Sequence, residues 1–251
     1  VAVRMLAPAV DRVYLNFEET GRSLKCPEKL LRVGCKLGFH LTTMPYSGVA
    51  YDSYLLDDIT DPRLPEYKVY IFPNAFTLTE EQRAAIKKRV RMPGKTAVWI
   101  YAPGYYRNGT GSVANIEELA AMKVKENYPV KEGEISRVFV AENNGVTETN
   151  GWRSVLLAMP PDIATLRQAM IDARAHIWTD TPEVVAAGRG YLMVHAAADG
   201  EKVVRLPRRC DVDELYGNTT PLSSVRSFND VFKKGETKIY RLSECPAERS
   251  E

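Results

Sequence analysis

The sequence predicts an α/β protein: a parallel sheet with helices on both faces, followed by a smaller antiparallel β module. Three observations carry this. Short runs such as "YKVYIFPN" and "TAVWIYAP" are apolar nearly throughout, as expected of strands covered on both sides. Strand and helix patterns alternate over the first hundred residues, which is the texture of β-α-β units. After Thr181 that texture stops, and short β runs separated by turn residues take over.

In chain order, "RVYLNF" opens as a strand and "CPEKLLRVGCKLGF" follows as a helix. Next come strands at "VAYDSYLLDD" and "YKVYIFPN". The helix "TEEQRAAIKKRVRMPG" carries its own punctuation: Thr79 and Gln82 at capping-box spacing, acids first, bases last, and Pro93-Gly94 as the stop. "TAVWIYAP" then ends at Ala102-Pro103-Gly104 and a glycine-rich loop. A second capping box, Asn115 to Glu118, predicts a short helix "IEELAAM". A strand at "ISRVFVAEN", a turn at Asn143-Asn144-Gly145 and a helix opening at Pro160-Pro161-Asp162 complete this part. Beyond a boundary near residue 183, "EVVAAGRG", "YLMVHAAA", "EKVVRLP", "DVDELYG" and "ETKIYRL" read as hairpin strands, and the tail "SECPAERSE" reads as frayed.

A composition of 45% apolar and 26% charged residues is that of a folded globular chain. Thirty-four basic against thirty-two acidic residues give no sequence-wide field for nucleic acid or for an anionic membrane. The apolar runs fall well short of the roughly 20 residues a membrane helix requires. Cys26, Cys35, Cys210 and Cys245 lack C-x-x-C spacing and read as buried thiols, a weak pointer to a reducing compartment. The first residues carry neither a start methionine nor a signal-peptide pattern, which fits a chain cut from something longer. Bacterial cytoplasm and periplasm or secretion stay open. Asn108-Gly-Thr110 and Asn218-Thr-Thr220 match the glycosylation pattern, which often arises by chance.

In open α/β sheets ligands bind beyond the carboxyl ends of the strands, so the loop after "TAVWIY" is the first place to look for chemistry. An acyl-transfer site needs Ser or Cys on a sharp turn there, with a backbone N–H for the oxyanion. Alanine supplies no nucleophile and proline no N–H, and Ser112 lies too far along to replace them. As a phosphate cradle, "GTGSVAN" lacks the third glycine of the dinucleotide fingerprint and the Lys-Ser/Thr pair of a P-loop, so no cofactor is expected.

Asp57, Asp58 and Asp61 could act as an acid–base or metal pair, or simply cap a turn. His40, His176 and His195 are scattered with no ligand spacing, and no metal site is expected. The basic segment "AAIKKRVRMPGK" reads as the solvated face of a helix. The segment "APGYYRNG" offers Tyr105, Tyr106 and Arg107 as contacts for a protein partner or a sugar ring.

Taken together, "VAYDSYLLDDI", "LPEYKVYIFPNAFTLTEEQRAAIKKRV", "GKTAVWIYAPGYYRNGTGSVANIEELAAMKV", the stretch from Ala175 to Gly217 and "FKKGETKIYRL" resemble a region of known enzymes. It is the region after the catalytic barrel in large bacterial glycoside hydrolases related to family 42 β-galactosidases, which includes their trimerisation domain. The resemblance implies a flavodoxin-like sheet of the class I glutamine amidotransferase type over residues 1–183, a small β module over 184–245 and a tail at 246–251. Active amidotransferases of that type place a cysteine on the turn and add a His-x-Glu pair. Here Ala102-Pro103-Gly104 occupies the turn, and no histidine has a glutamate two positions on. The implied role is a non-catalytic accessory or oligomerisation domain, with its own subunits or a glycoside hydrolase barrel as partner. Two rivals remain at this stage. One is an enzyme using Asp57 or Asp58 with His195 near the strand ends. The other is a glycan-binding module using Tyr105, Tyr106 and Trp99 or Trp178.

Overall fold

Every residue of Val69–Phe72 and Thr96–Ile100 is buried, the outcome a continuous apolar run predicts for the middle of a sheet covered on both faces. The computed structural model describes residues 13–16, 43–73, 75–127, 130–131, 134–135, 138–158 and 161–243. The expected helix around "CPEKLLRVGCKLGF", His40, Cys26, Cys35, Cys245 and the tail at 246–251 lie outside these residues.

The first unit contains β1 (Val13–Asn16), β2 (Tyr51–Tyr54), β3 (Val69–Phe72), α1 (Glu80–Val90) and β4 (Thr96–Ile100). A short hairpin, β5 (Tyr106–Arg107) and β6 (Thr110–Gly111), leads into α2 (Val113–Ala120). Then follow β7 (Val124–Asn127), β8 (Val130–Lys131), β9 (Glu134–Ile135), β10 (Val138–Ala141), β11 (Val146–Thr149), β12 (Trp152–Leu157) and α3 (Ile163–Asp172). The main sheet runs β11-β12-β4-β3-β1-β2. Its pairs are parallel except at the β11 edge, where β11 meets β12 antiparallel. Without that edge strand the order 2-1-3-4-12 is the flavodoxin-like winding. At its centre the Trp99 ring stacks on Phe72 at 4.8 Å, and its Nε1–H donates to Ser154 Oγ at 2.9 Å, so the buried indole has its partner.

Local chemistry sets the helix ends. Thr79 Oγ1 accepts from Gln82 N while Gln82 Oε1 accepts from Thr79 N, the reciprocal box expected from the sequence. Asp162 caps α3 by accepting from Thr165 N at 2.7 Å. The second box was misplaced. The N-cap of α2 is Ser112, and Asn115 lies inside the helix with its amide donating to Tyr105 O. Two polar residues near a helix start compete as caps, and the hairpin before α2 decides in favour of the earlier one.

The β module is one antiparallel sheet in the order β13-β14-β17-β15-β16. Its strands are β13 (Val184–Gly188), β14 (Tyr191–His195), β15 (Gly200–Glu214), β16 (Leu222–Phe232) and β17 (Thr237–Ser243). Two expectations need correction. Pro207-Arg208-Arg209 does not separate two strands: β15 runs through it, with a register shift against β16 between Arg205 and Cys210. β16 had no signal in the sequence, since most of its residues are exposed and polar.

A further correction concerns Cys210, which is disulfide-bonded, its partner lying outside the described residues. Spacing along the chain does not reveal which cysteines a sheet brings together.

Two buried apolar clusters correspond to the two sheets. One extends from Met44 to Ala173, and the other gathers Ala50, Trp178 and the inner residues of β13 to β17. Arg167 on α3 ties them by donating to Ser47 O at 3.0 Å and Thr179 O at 2.8 Å. Lys202 of the module and Glu183, just before β13, form a buried ion pair at 2.9 Å, both almost inaccessible. Burial alone would push the Glu183 carboxyl up. Hydrogen bonds from Lys202, the Ala197 N–H and the Thr181 hydroxyl outweigh burial and hold it below the usual carboxylate range.

Candidate functional site

The carboxyl end of β4 is where a flavodoxin-like sheet presents ligands or a nucleophile. The residue directly after the strand, Tyr101, has φ 71°. A non-glycine residue at positive φ at a strand end has the geometry of a nucleophile elbow. The strained position is therefore Tyr101, one residue earlier than the Ala102-Pro103-Gly104 turn singled out from the sequence. Its side chain is fully buried, packed edge-on against Phe76 at 5.5 Å and Phe139 at 5.3 Å. The side chain that this backbone would aim at a substrate is built into the core instead.

The N–H groups of Gly104, Tyr105 and Tyr106 are committed as well. Gly104 N donates to Ala75 O at 2.7 Å, Tyr105 N to Ala102 O at 3.2 Å and Tyr106 N to Phe76 O at 2.9 Å. Arg83 of α1 fills the space below. Its side chain is 1% exposed; Nη2 donates to Gly104 O and Nη1 to Asn115 O at 3.5 Å, while Nε is buried without an acceptor. A Cβ at Gly104 would stand 2.8 Å from the Arg83 guanidinium, on a backbone already at φ 61°, so glycine is required there.

Around the rim the charges neutralise one another. Arg107 grips Glu80 with two hydrogen bonds of 2.6 Å and reaches Glu118 at 3.1 Å, and Lys87 donates to the same Glu118. The Lys87 hydrogen bond, with the charges of Lys87, Arg107 and Arg83, holds the Glu118 carboxyl below its ordinary range despite partial desolvation. Arg107 does the same for Glu80. The Arg83 guanidinium is lowered by burial, which Glu118 partly offsets.

The residues singled out from the sequence are dispersed. Asp57 accepts from the Gln82 amide at 2.7 Å, and Asp58 accepts from Leu55 N at 2.9 Å in the short 3-10 turn Leu56–Thr60. His195 lies on β14 in the other sheet, with Nδ1 2.8 Å from Thr237 Oγ1. No hydrogen bond joins either aspartate to His195 among the described residues. Tyr105 is 5% exposed against Phe139, Tyr106 is half-buried edge-on to Tyr105, and Arg107 is held by the two glutamates. Trp99 and Trp178 are buried too, which removes them as stacking platforms.

The basic face of α1 is not simply solvated. Arg89 donates to the carbonyls of Ile59 at 2.9 Å and Leu64 at 3.3 Å, and Arg91 donates to Leu119 O at 3.1 Å and lies over the Trp152 ring. Sequence reasoning missed Arg83, although a signal existed. The capping box fixes the helix register, and Arg83 stands three and seven residues before Ile86 and Val90, on the buried stripe.

No group of three or more potential metal-ligating side chains occurs among the described residues. No described helix is long and apolar enough to cross a membrane.

No protein family and no curated protein matches the chain by sequence. Solved structures do match. One is the β-galactosidase from Bacillus circulans sp. alkalophilus, with TM-score 0.62, 12% identity, and 94% of this chain aligned to 42% of that one. A catalytic mutant of a GH42 β-galactosidase from G. stearothermophilus gives TM-score 0.59, 13% identity and coverages of 94% and 40%. The β-galactosidase from Rahnella sp. R3 gives 0.57, 14%, 92% and 41%. The chain thus spans about two fifths of the length of each of these proteins. What it shares with them is the fold, across both the α/β sheet and the β module.

Proposed function

We propose that this chain is a non-catalytic accessory or oligomerisation domain of a larger glycoside hydrolase, with residues 1–183 as the α/β unit and 184–245 as the β module. The observation that carries this reading is the occupied carboxyl end of β4. Tyr101 is packed into the core where a nucleophile would stand, Arg83 plugs the space behind the turn, and the N–H groups of Gly104, Tyr105 and Tyr106 are bonded. The fold likeness to part of three β-galactosidases supports the carbohydrate context. In such a parent the hydrolytic carboxylates would belong to a separate barrel. This chain would contribute surface to another subunit or to that barrel, over an interface of more than about 1,000 Å².

The test pairs two measurements on the 251-residue chain. Sedimentation equilibrium should show self-association, and a nitrophenyl β-galactoside assay should show no turnover. Turnover of a glycoside, ester or amide that disappears on replacing Tyr101 or Glu118 would overturn the reading.

A further inference from the structure

At the opposite, amino-terminal end of the sheet a polar cleft of about 430 Å³ opens between the residues preceding β3 and β4, the β11–β12 turn and the end of α3. Four cationic side chains line it, Lys68, Lys95, Arg153 and Arg174, against two carboxylates, Glu148 and Asp172. Arg153 sets its Nη atoms 3.3 Å from Glu148 and 3.6 Å from Asp172, while its Nε is buried with no acceptor. Among the described residues Lys95 holds the largely exposed Glu66, at 3.2 Å. The Arg174 guanidinium makes no hydrogen bond or ion pair among the described residues.

The backbone under Arg174 is also out of the ordinary. It follows the C-cap of α3 at φ 54°, a position that helices commonly give to glycine, and its carbonyl is clamped by Lys68 Nζ at 2.9 Å. An arginine in a glycine position with a free head group breaks a local rule, and such breaks concentrate where function requires them. Across the cleft, Asn150 sits at φ 49° in the β11–β12 turn, exposed.

We propose that this cleft is a binding site for a carboxylate-bearing ligand. A planar carboxylate would accept from the Arg174 fork, with the positive charges of Lys68, Lys95 and Arg153 beside it. Glu148 and Asp172 disfavour a dianion such as phosphate, but they would accept from hydroxyl or amide donors beside a single negative charge. The volume suits one sugar ring or one amino-acid side chain with its backbone. Two sources carry that chemistry, a sugar acid and an acidic side chain of a protein, and the site stands whether or not the accessory reading does.

The experiment is NMR on the 15N-labelled chain, following the arginine Nε–H and backbone signals during titration with glucuronate, acetyl-glutamate amide, glucose or inorganic phosphate. At least one carboxylate should shift the Arg174 Nε–H and Asn150 signals and bind about tenfold more tightly than glucose, a factor equal to ~1.4 kcal/mol. If glucuronate binds more tightly the source is a sugar acid; if the amide does, it is a protein side chain. Arg174→Gly suits the backbone at that position, so it should keep the wild-type spectrum elsewhere and lose about tenfold in carboxylate affinity. The proposal falls if glucose matches the carboxylates, if phosphate exceeds them, if no probe shifts cleft signals, or if Arg174→Gly binds like wild type.

Discussion

The two ends of one sheet have been finished in opposite ways. At the carboxyl end, where flavodoxin-like folds place their chemistry, the strained residue is a core tyrosine, the N–H groups of Gly104, Tyr105 and Tyr106 are bonded, and Arg107, Glu80, Lys87 and Glu118 pair with one another. At the amino end a cleft remains open, with the Arg174 guanidinium unpaired among the described residues. Backbone geometry alone is therefore a poor guide to function. The elbow persists as a shape, while the side chains on it have been spent on stability.

If the carboxyl end is structural, damage there should register as lost stability. Tyr101→Ala removes a fully buried ring wedged between Phe76 and Phe139, and denaturant unfolding should show a loss of about 3–5 kcal/mol. A loss under ~1 kcal/mol would mean that the packing of the ring adds little to stability, and that the ring is held there for some other purpose. Next in size is Arg83→Met, which keeps much of the side-chain volume but strips the donors from Gly104 O and Asn115 O. About 2–3 kcal/mol should go, since each buried carbonyl left unpaired costs on the order of 1 kcal/mol or more.

These two residues also mark the limit of what the sequence discloses. Continuous apolar runs gave the central strands, and the Thr79–Gln82 pair gave the start of α1, because both signals are local. The turn at Asn143-Asn144-Gly145 was legible for the same reason, with all three residues at positive φ. Partnerships across the fold were not. Arg89 and Arg91 look like a solvated basic face until the loops they clamp are placed against them. Tyr105 looks open until Phe139 arrives from β10. β16 is hidden because a strand with mostly exposed residues carries no apolar alternation.

Acid should loosen the carboxyl end. The carboxyls of Glu118 and Glu80 are held low in the fold, chiefly by Lys87 and Arg107 respectively. A depressed carboxylate gives stability that is present above its unfolded value, near 4.3, and is lost as pH falls through the folded value. Melting temperature should therefore drop more steeply below about pH 4.5 in wild type than in Glu118→Gln. Because Glu118 is 38% exposed and screened by solvent, the difference should be only about 2 °C. A Glu118→Gln curve parallel to wild type would show that the rim charges add nothing to the closure.

The smallest effect expected is the most informative about the open end. Arg174 occupies a left-handed position with a side chain that makes no hydrogen bond or ion pair among the described residues, so Arg174→Gly exchanges backbone strain for the entropy that glycine brings to the unfolded chain. The two terms nearly offset, and the net change in unfolding free energy should lie within about 0.5 kcal/mol of zero. A loss of 2 kcal/mol or more would mean that the guanidinium supports the fold after all, and the contrast between a closed and an open end would disappear. An unchanged stability would leave the arginine without a structural reason to stand where glycine fits, so that the reason has to be sought in what enters the cleft.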